Sequence, residues 1–309
     1  MKSWIITLTG WMLIASALYA CVQELPFDVK ETELPVVNCI LTNDTLQTLS
    51  LTQSVKITDG YAFQEIQEAR ISLWAEEVKI GEFERKSYGN WQLRYQPEAG
   101  IHYRLQVQLP DGKELTATTA MPEKTQLTAD REKNSYPSKY FRQLTAENPC
   151  WVFILGEETW AADLMHPVPS SKVKLHEIIG TDHPRVDRFN EEGNLVDLVS
   201  RATTPAYAYY VRIQPSPVSN EEGIPFCMQT NFGPYGFIFF RTASEEYDQY
   251  LKSSLQKLFV YKSEDDPIQW FDENKVYSNI SNGAGIFAAY QDNYYYFFDN
   301  YDFFNDEYH

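Results

Sequence analysis

Residues 101–119 read IHYRLQVQLPDGKELTATT, and this stretch decides the fold class. Ile101, Tyr103, Leu105, Val107 and Leu109 alternate with polar residues, the period of a strand with one buried face. Pro110-Asp111-Gly112 then reads as a turn: Pro presets φ at the first corner and Gly accepts positive φ at the second. Leu115 and Ala117 begin the return strand. Working back toward the N-terminus, strands are expected at 36–41, 49–55 and 69–74, and at 91–95 after the Tyr88-Gly89-Asn90 turn. Short alternating strands at this spacing predict a β-sandwich over residues 34–121. The stretch AMPEKTQ, from Ala120 to Gln126, closes that domain, with Pro122 as a hinge.

Residues 122–309 are expected to form a second, β-rich domain. Tyr207, Tyr209, Val211 and Ile213 alternate, and FGPYGFIFF (232–240) is an apolar run too short for a helix, which predicts a buried strand. The segment RTASEEYDQYLKSSLQKLFVY (241–261) predicts the one amphipathic helix. Thr242 and Glu245 have capping-box spacing, and Tyr247, Tyr250, Leu251, Leu255 and Leu258 share a face. The aromatic C-terminus predicts a last strand ending near Phe298.

The other end of the chain carries an address. Lys2 followed by the apolar run Ile5–Leu18 has the form of a secretory signal, and the run is shorter than the ~20 residues a spanning helix needs. Two cleavage readings stand. Ala15-Ser16-Ala17 is an A-x-A site that would release a soluble protein, and Leu18-Tyr19-Ala20-Cys21 is a lipoprotein-type site that would leave an acylated Cys21. The second is preferred, which divides the start into a signal peptide, 1–20, and a lipidated tether, 21–33. Several acyl chains on one cysteine anchor stably, since each buried CH₂ contributes about 0.8 kcal/mol.

Composition narrows the partners. A net charge of −17 disfavours nucleic acid and anionic lipid surfaces. With Cys21 acylated, Cys39, Cys150 and Cys227 remain. Cys39 lies in an apolar run and reads as a buried thiol, so Cys150 and Cys227 are the pair available for a disulfide, although spacing alone leaves the connectivity open. No catalytic residues, metal ligands or cofactor site are assigned. HEIIG at His176 lacks the second His of a zincin helix, Gly180 standing in its place. His166, His176 and His183, with Asp163, Glu177 and Asp182, lie in a proline-broken stretch with no scaffold to converge them. GAGIFA at Gly283 lacks the third Gly and the strand–helix context of a dinucleotide site, and its glycines are expected to mark a bulge or close backbone contact.

Pro26-Phe27-Asp28 after Cys21, Asp266-Pro267 after the helix, and SNISNGAGIFAAY together resemble a Bacteroidota outer-membrane lipoprotein family, domain of unknown function 4249 (DUF 4249). The motif residues are Asn279, Ile280, Asn282, Gly283, Gly285, Ile286 and Phe287. The resemblance implies an immunoglobulin-like or transthyretin-like sandwich at the N-terminus and no transferable catalytic residues. It also implies an outer-membrane location and a non-catalytic accessory role beside a TonB-dependent receptor in nutrient uptake. A surface adhesin or pilin-like subunit is the alternative. Pilins of this phylum resemble one another in an arginine cleavage site soon after the tether, whereas here no Arg precedes Arg70. Asp44-Thr45-Leu46 matches a short O-glycosylation signal of the same phylum, which makes Thr45 a candidate acceptor. The partner surface is expected on the second domain, where FGPYGFIFF and the aromatic C-terminus exceed what local folding explains.

Overall fold

Strand periodicity is realised along most of the described residues. The computed structural model describes residues 33–55, 63–135, 137–145, 147–157, 173–176, 178–187, 207, 209–216, 223–230, 235–260, 276–298 and 301–304. The first part holds β1 (Pro35–Leu41), β2 (Leu46–Gln53), β3 (Gln64–Glu65), β4 (Arg70–Ala75), β5 (Val78–Glu82), β6 (Glu84–Ser87), β7 (Asn90–Arg94), β8 (His102–Gln108) and β9 (Glu114–Ala120). Next come β10 (Leu127–Ala129), β11 (Ser138–Gln143), β12 (Cys150–Glu157), β13 (Val173–His176), β14 (Ile178–Thr181), β15 (Val211–Ile213) and β16 (Ile224–Thr230). The last described elements are β17 (Tyr235–Ala243), helix α1 (Glu245–Val260), β18 (Ala284–Phe298) and β19 (Tyr301–Phe304).

One long sheet runs β13-β12-β17-β18-β1-β2-β7-β6, with β15 on β12, β19 on β18 and β3 on β2. Two four-stranded sheets, β5-β4-β8-β9 and β10-β11-β16-β14, complete the strand inventory of the described residues. The first small sheet and its half of the long sheet enclose a core of Val37, Leu41, Leu51, Ile71, Leu73, Leu105 and Leu115. The second encloses Phe141, Val152, Ile154, Phe226, Phe240, Tyr295 and Phe297. On the opposite side of the long sheet, α1 packs Tyr247, with Tyr250, Leu251 and Leu255, against Trp151, Ile286 and Ala288.

The long sheet is continuous because of β18. Its first residues pair in parallel with β1, Val36↔Ala284 to Leu41↔Ala289. Its later residues pair antiparallel with β17, Ala243↔Tyr290 to Tyr235↔Phe298. On one face, Phe287 and Ala289 enter the first core and Tyr295 and Phe297 the second. Between them, Gln291 and Asn293 are buried and polar. Gln291 Nε2 donates to Pro122 O at 2.8 Å and Asn293 Nδ2 to Thr125 O at 3.4 Å, which satisfies carbonyls of the segment that crosses from one small sheet to the other.

The mainly β class is thus as expected, while the divide between 34–121 and 122–309 is corrected. Residues from the end of the chain complete the first core: Ile280, Phe287 and Ala289 lie within it. The sandwich closes only when β18 fills the place beside β1, so the link at Pro122 is not a boundary between separately cored domains.

Three local expectations also change. The helix is capped by Ser244, whose Oγ accepts from Tyr247 N at 3.2 Å. Thr242 is not the cap, because β17 continues through Ala243 and the Thr242 hydroxyl is held by Thr125 at 2.7 Å. The alternating Tyr207–Ile213 run is a strand only from Val211; Tyr207 and Tyr210 bridge one another around Tyr209, which has φ of 62°. Finally, Cys39, Cys150 and Cys227 are all free and buried. Cys150 points into the second core from β12 of the long sheet, whereas on β16 it is Phe226 and Met228 that enter that core and not Cys227 between them, so the proposed bridge is absent.

Candidate partner-binding face

The aromatic-rich C-terminal sequences sort by parity. On β17, Ile238 and Phe240 point into the core, while Phe237 is 38% exposed and Phe239 half-buried. On β18, Tyr295 and Phe297 are buried, while Tyr294 and Tyr296 are half-buried on the other face. On the same side of the sheet, Phe153 of β12, itself only 6% exposed, and the half-buried Phe303 of β19 continue the row of rings across four neighbouring strands.

The rings form one connected array. Phe153 and Phe239 stack at 5.0 Å with planes 3° apart. Tyr210 meets Phe153 at 5.6 Å, Tyr294 meets Phe239 at 5.5 Å, and Phe237 touches both Tyr294 at 5.7 Å and Tyr296 at 4.9 Å. Phe303 continues it beyond Tyr296 at 5.2 Å. Such offset and tilted contacts hold the rings in fixed positions, with Phe237 the most exposed of them.

Toward the helix the face ends on a charge that is already neutralised. Arg241 makes a bidentate bond to Asp292, both contacts at 2.8 Å, and lies 3.7 Å from the Tyr290 ring centroid and 5.1 Å from that of Phe153. Burial works against the guanidinium charge, and the Asp292 bonds more than offset it, so Arg241 is held further into its charged range. Burial raises the Tyr247 and Tyr290 hydroxyls above the ordinary phenol range, which keeps both neutral at physiological pH. A second ion network fixes α1. Asp248 accepts from Arg212 Nε at 2.6 Å, Arg212 Nη2 at 2.7 Å and Trp151 Nε1 at 2.8 Å, while Arg212 also reaches Asp187 at 2.8 Å. These ion pairs are spent on the fold, and the outer face offers apolar contact with few charged contacts.

The motif Asn279–Phe287 is a structural seam. Asn279 Oδ1 accepts from Phe287 N at 2.9 Å while its Nδ2 donates to Phe287 O at 2.7 Å, clamping the start of β18. Ile280 is buried in the first core, and Ser281 bridges Thr116 of β9. Asn282 takes φ of 61° and donates from Nδ2 to Glu114 O at 3.1 Å. Gly283 and Gly285 permit close approach to Pro35 and Val37, and Ile286 packs under α1. The close backbone contact expected of these glycines is what they provide.

Other candidate positions do not converge on this face. Thr45 lies in the exposed turn between β1 and β2. Cys21, Asp163, His166, Glu177 and Asp266-Pro267 lie outside the described residues. His183 is buried, its Nε2 3.0 Å from Gln143 Oε1 and its Nδ1 accepting from Arg185 N at 3.1 Å. Among the described residues no group of three His, Cys, Asp or Glu side chains is placed to hold a metal ion. An open groove of about 640 Å³ beside β11 is lined by charges of both signs, including Asp130, Lys133, Arg142 and Asp182. Sequence reasoning missed Phe153, Arg241 and the outward role of Tyr294 and Tyr296. The signal lay in the alternation within 291–298, which a run of aromatics on both faces conceals.

Residues 22–149 match the family described as domain of unknown function (DUF4249). No curated protein is similar enough to the chain to match it.

Proposed function

We propose, from the premise that the chain belongs through residues 22–149 to the DUF4249 family, that it is a lipid-anchored outer-membrane accessory protein. In this reading it binds a TonB-dependent transporter without catalysing a reaction, and supports nutrient uptake. The observation that carries it is the connected ring array headed by the exposed Phe237. Aromatic residues dominate binding energy at protein interfaces, because they bury large area at small conformational cost. Cys21, read as an acylated residue, would hold the protein at the membrane where such a transporter sits.

Two measurements test the two halves of this reading. Cys21→Ala should move the protein from the membrane to the soluble fraction of its native host; unchanged membrane association and the absence of an acyl-cysteine peptide would remove the anchor. Affinity-tagged protein cross-linked in cells should capture the transporter, and Phe237→Asp should reduce capture at least several-fold while the thermal melt is retained. Equal capture by Phe237→Asp places the contact elsewhere. Capture of identical subunits in a chain favours the adhesin or pilin-like alternative.

A further inference from the structure

The long sheet has two ends, and one of them gathers the exposed aromatics nearest the start of the described chain. β1 begins at this end, and Leu34, just before it, exchanges bonds with Ser54: Ser54 N to Leu34 O at 2.9 Å and Leu34 N to Ser54 Oγ at 2.8 Å. On the other side of β2, Gln64 pairs with Gln53, which sets Phe63 at the same tip. β7 starts here too, because Leu51 N donates to Gly89 O at 2.9 Å, so the β6–β7 turn carries Tyr88 to this tip. Tyr88 donates its hydroxyl to Phe63 O. Phe63 is 58% and Tyr88 61% exposed.

Of the charges beside these rings, the Glu65 carboxylate is drawn inward, while Glu33, Arg85 and Lys86 stay exposed. Glu65 is nearly buried, takes Arg85 at 2.6 Å and accepts from Gly89 N at 3.0 Å. Among the described residues the tip presents an aromatic pair with a polar handle beside exposed charges of both signs, a composition suited to the headgroup level of a bilayer.

We propose that Phe63 and Tyr88 seat this end of the sheet in the interfacial zone of a zwitterionic phospholipid bilayer. The proposal rests on the lipid-anchor reading of Cys21. Residues 21–33 can extend at most about 45 Å, and they lead directly to Leu34, so the first surface within the anchor's reach is this one. The charge of −17 turns the preference away from anionic lipid.

The test uses the chain from residue 22 to residue 309 with an N-terminal hexahistidine, held on phosphatidylcholine vesicles by nickel-chelating lipid. An environment-sensitive fluorophore is placed through Phe63→Cys, through Tyr88→Cys, or through Leu46→Cys at the opposite end of β2, the native thiols being buried. Labels at 63 and 88 should shift to the blue and be quenched several-fold more than the label at 46 when nitroxide-bearing lipid is included. Equal emission and equal quenching at the three positions would overturn the proposal. Because the tag supplies the attachment, a failure of acylation in cells leaves this readout intact, and the Cys21→Ala fractionation reports that failure separately.

Discussion

At Gly285 two requirements coincide. Its φ is 110°, and a Cβ built there would lie 1.9 Å from Val37 O, where β18 meets β1. Only a residue without a side chain allows the two backbones to pair at this register. Gly285→Ala is therefore expected to cost at least about 3 kcal/mol, from backbone strain and overpacking together, and to lower the melting temperature by roughly 10 °C. Gly112→Ala is the matched comparison, since Gly112 has φ of 84° with nothing within 4 Å of the added methyl. It should lose only the conformational part. Equal melts for the two variants would show that the close approach to Val37 contributes nothing.

Helix α1 is an element held by charge as well as by its apolar face. Asp248 sits one turn into the helix and binds Arg212 and Trp151, neither of which is near it in sequence. Burial raises the Asp248 pKa and the bonds to Arg212 and Lys252 lower it further than burial raises it, so the folded value lies below the ordinary carboxylate value. A depressed folded pKa means the stabilisation is present above the unfolded value, near 3.8, and is lost as pH falls through the folded value. Asp248→Asn should cost about 3–5 kcal/mol at pH 7 by leaving Arg212 partly unpaired. The difference between wild type and variant in urea unfolding should shrink as pH drops below 4. A difference that is constant with pH would show that the carboxylate charge is not what stabilises the network. The helix itself was legible in sequence, because Tyr247, Leu251 and Leu255 repeat at the right spacing. Its cap was not: the T-x-x-E pattern is local, whereas the end of β17 is set by its ladder with β18. Which residues of FGPYGFIFF face outward was not legible for a related reason, since a run of apolar residues does not reveal which parity faces solvent.

At the scale of the whole molecule, the strand pattern of residues 101–119 was legible because one face is polar, but the closure of the sandwich was not. Parallel pairing between β1 and β18 joins opposite ends of the chain and leaves no local signature, so a sequence break at Pro122 looked like a domain boundary. A fragment of residues 34–121 carries most of the first core but lacks Ile280, Phe287 and Ala289, and it leaves β1 as an open edge from Val36 to Leu41. Burial of Phe287 and Ile280 alone is worth about 1.5–3 kcal/mol each, a large part of the ~5–15 kcal/mol that holds a domain together. The isolated fragment is therefore expected to melt without a cooperative transition, and its exposed β1 edge should make it prone to association. Adding residues 276–298 as a separate peptide should restore β-type circular dichroism with a sigmoidal melt, and the same peptide with Gly285→Ala should not. A cooperative melt by the fragment alone, unchanged on adding the peptide, would return the boundary to Pro122 and reduce β18 to a passenger on a finished sandwich.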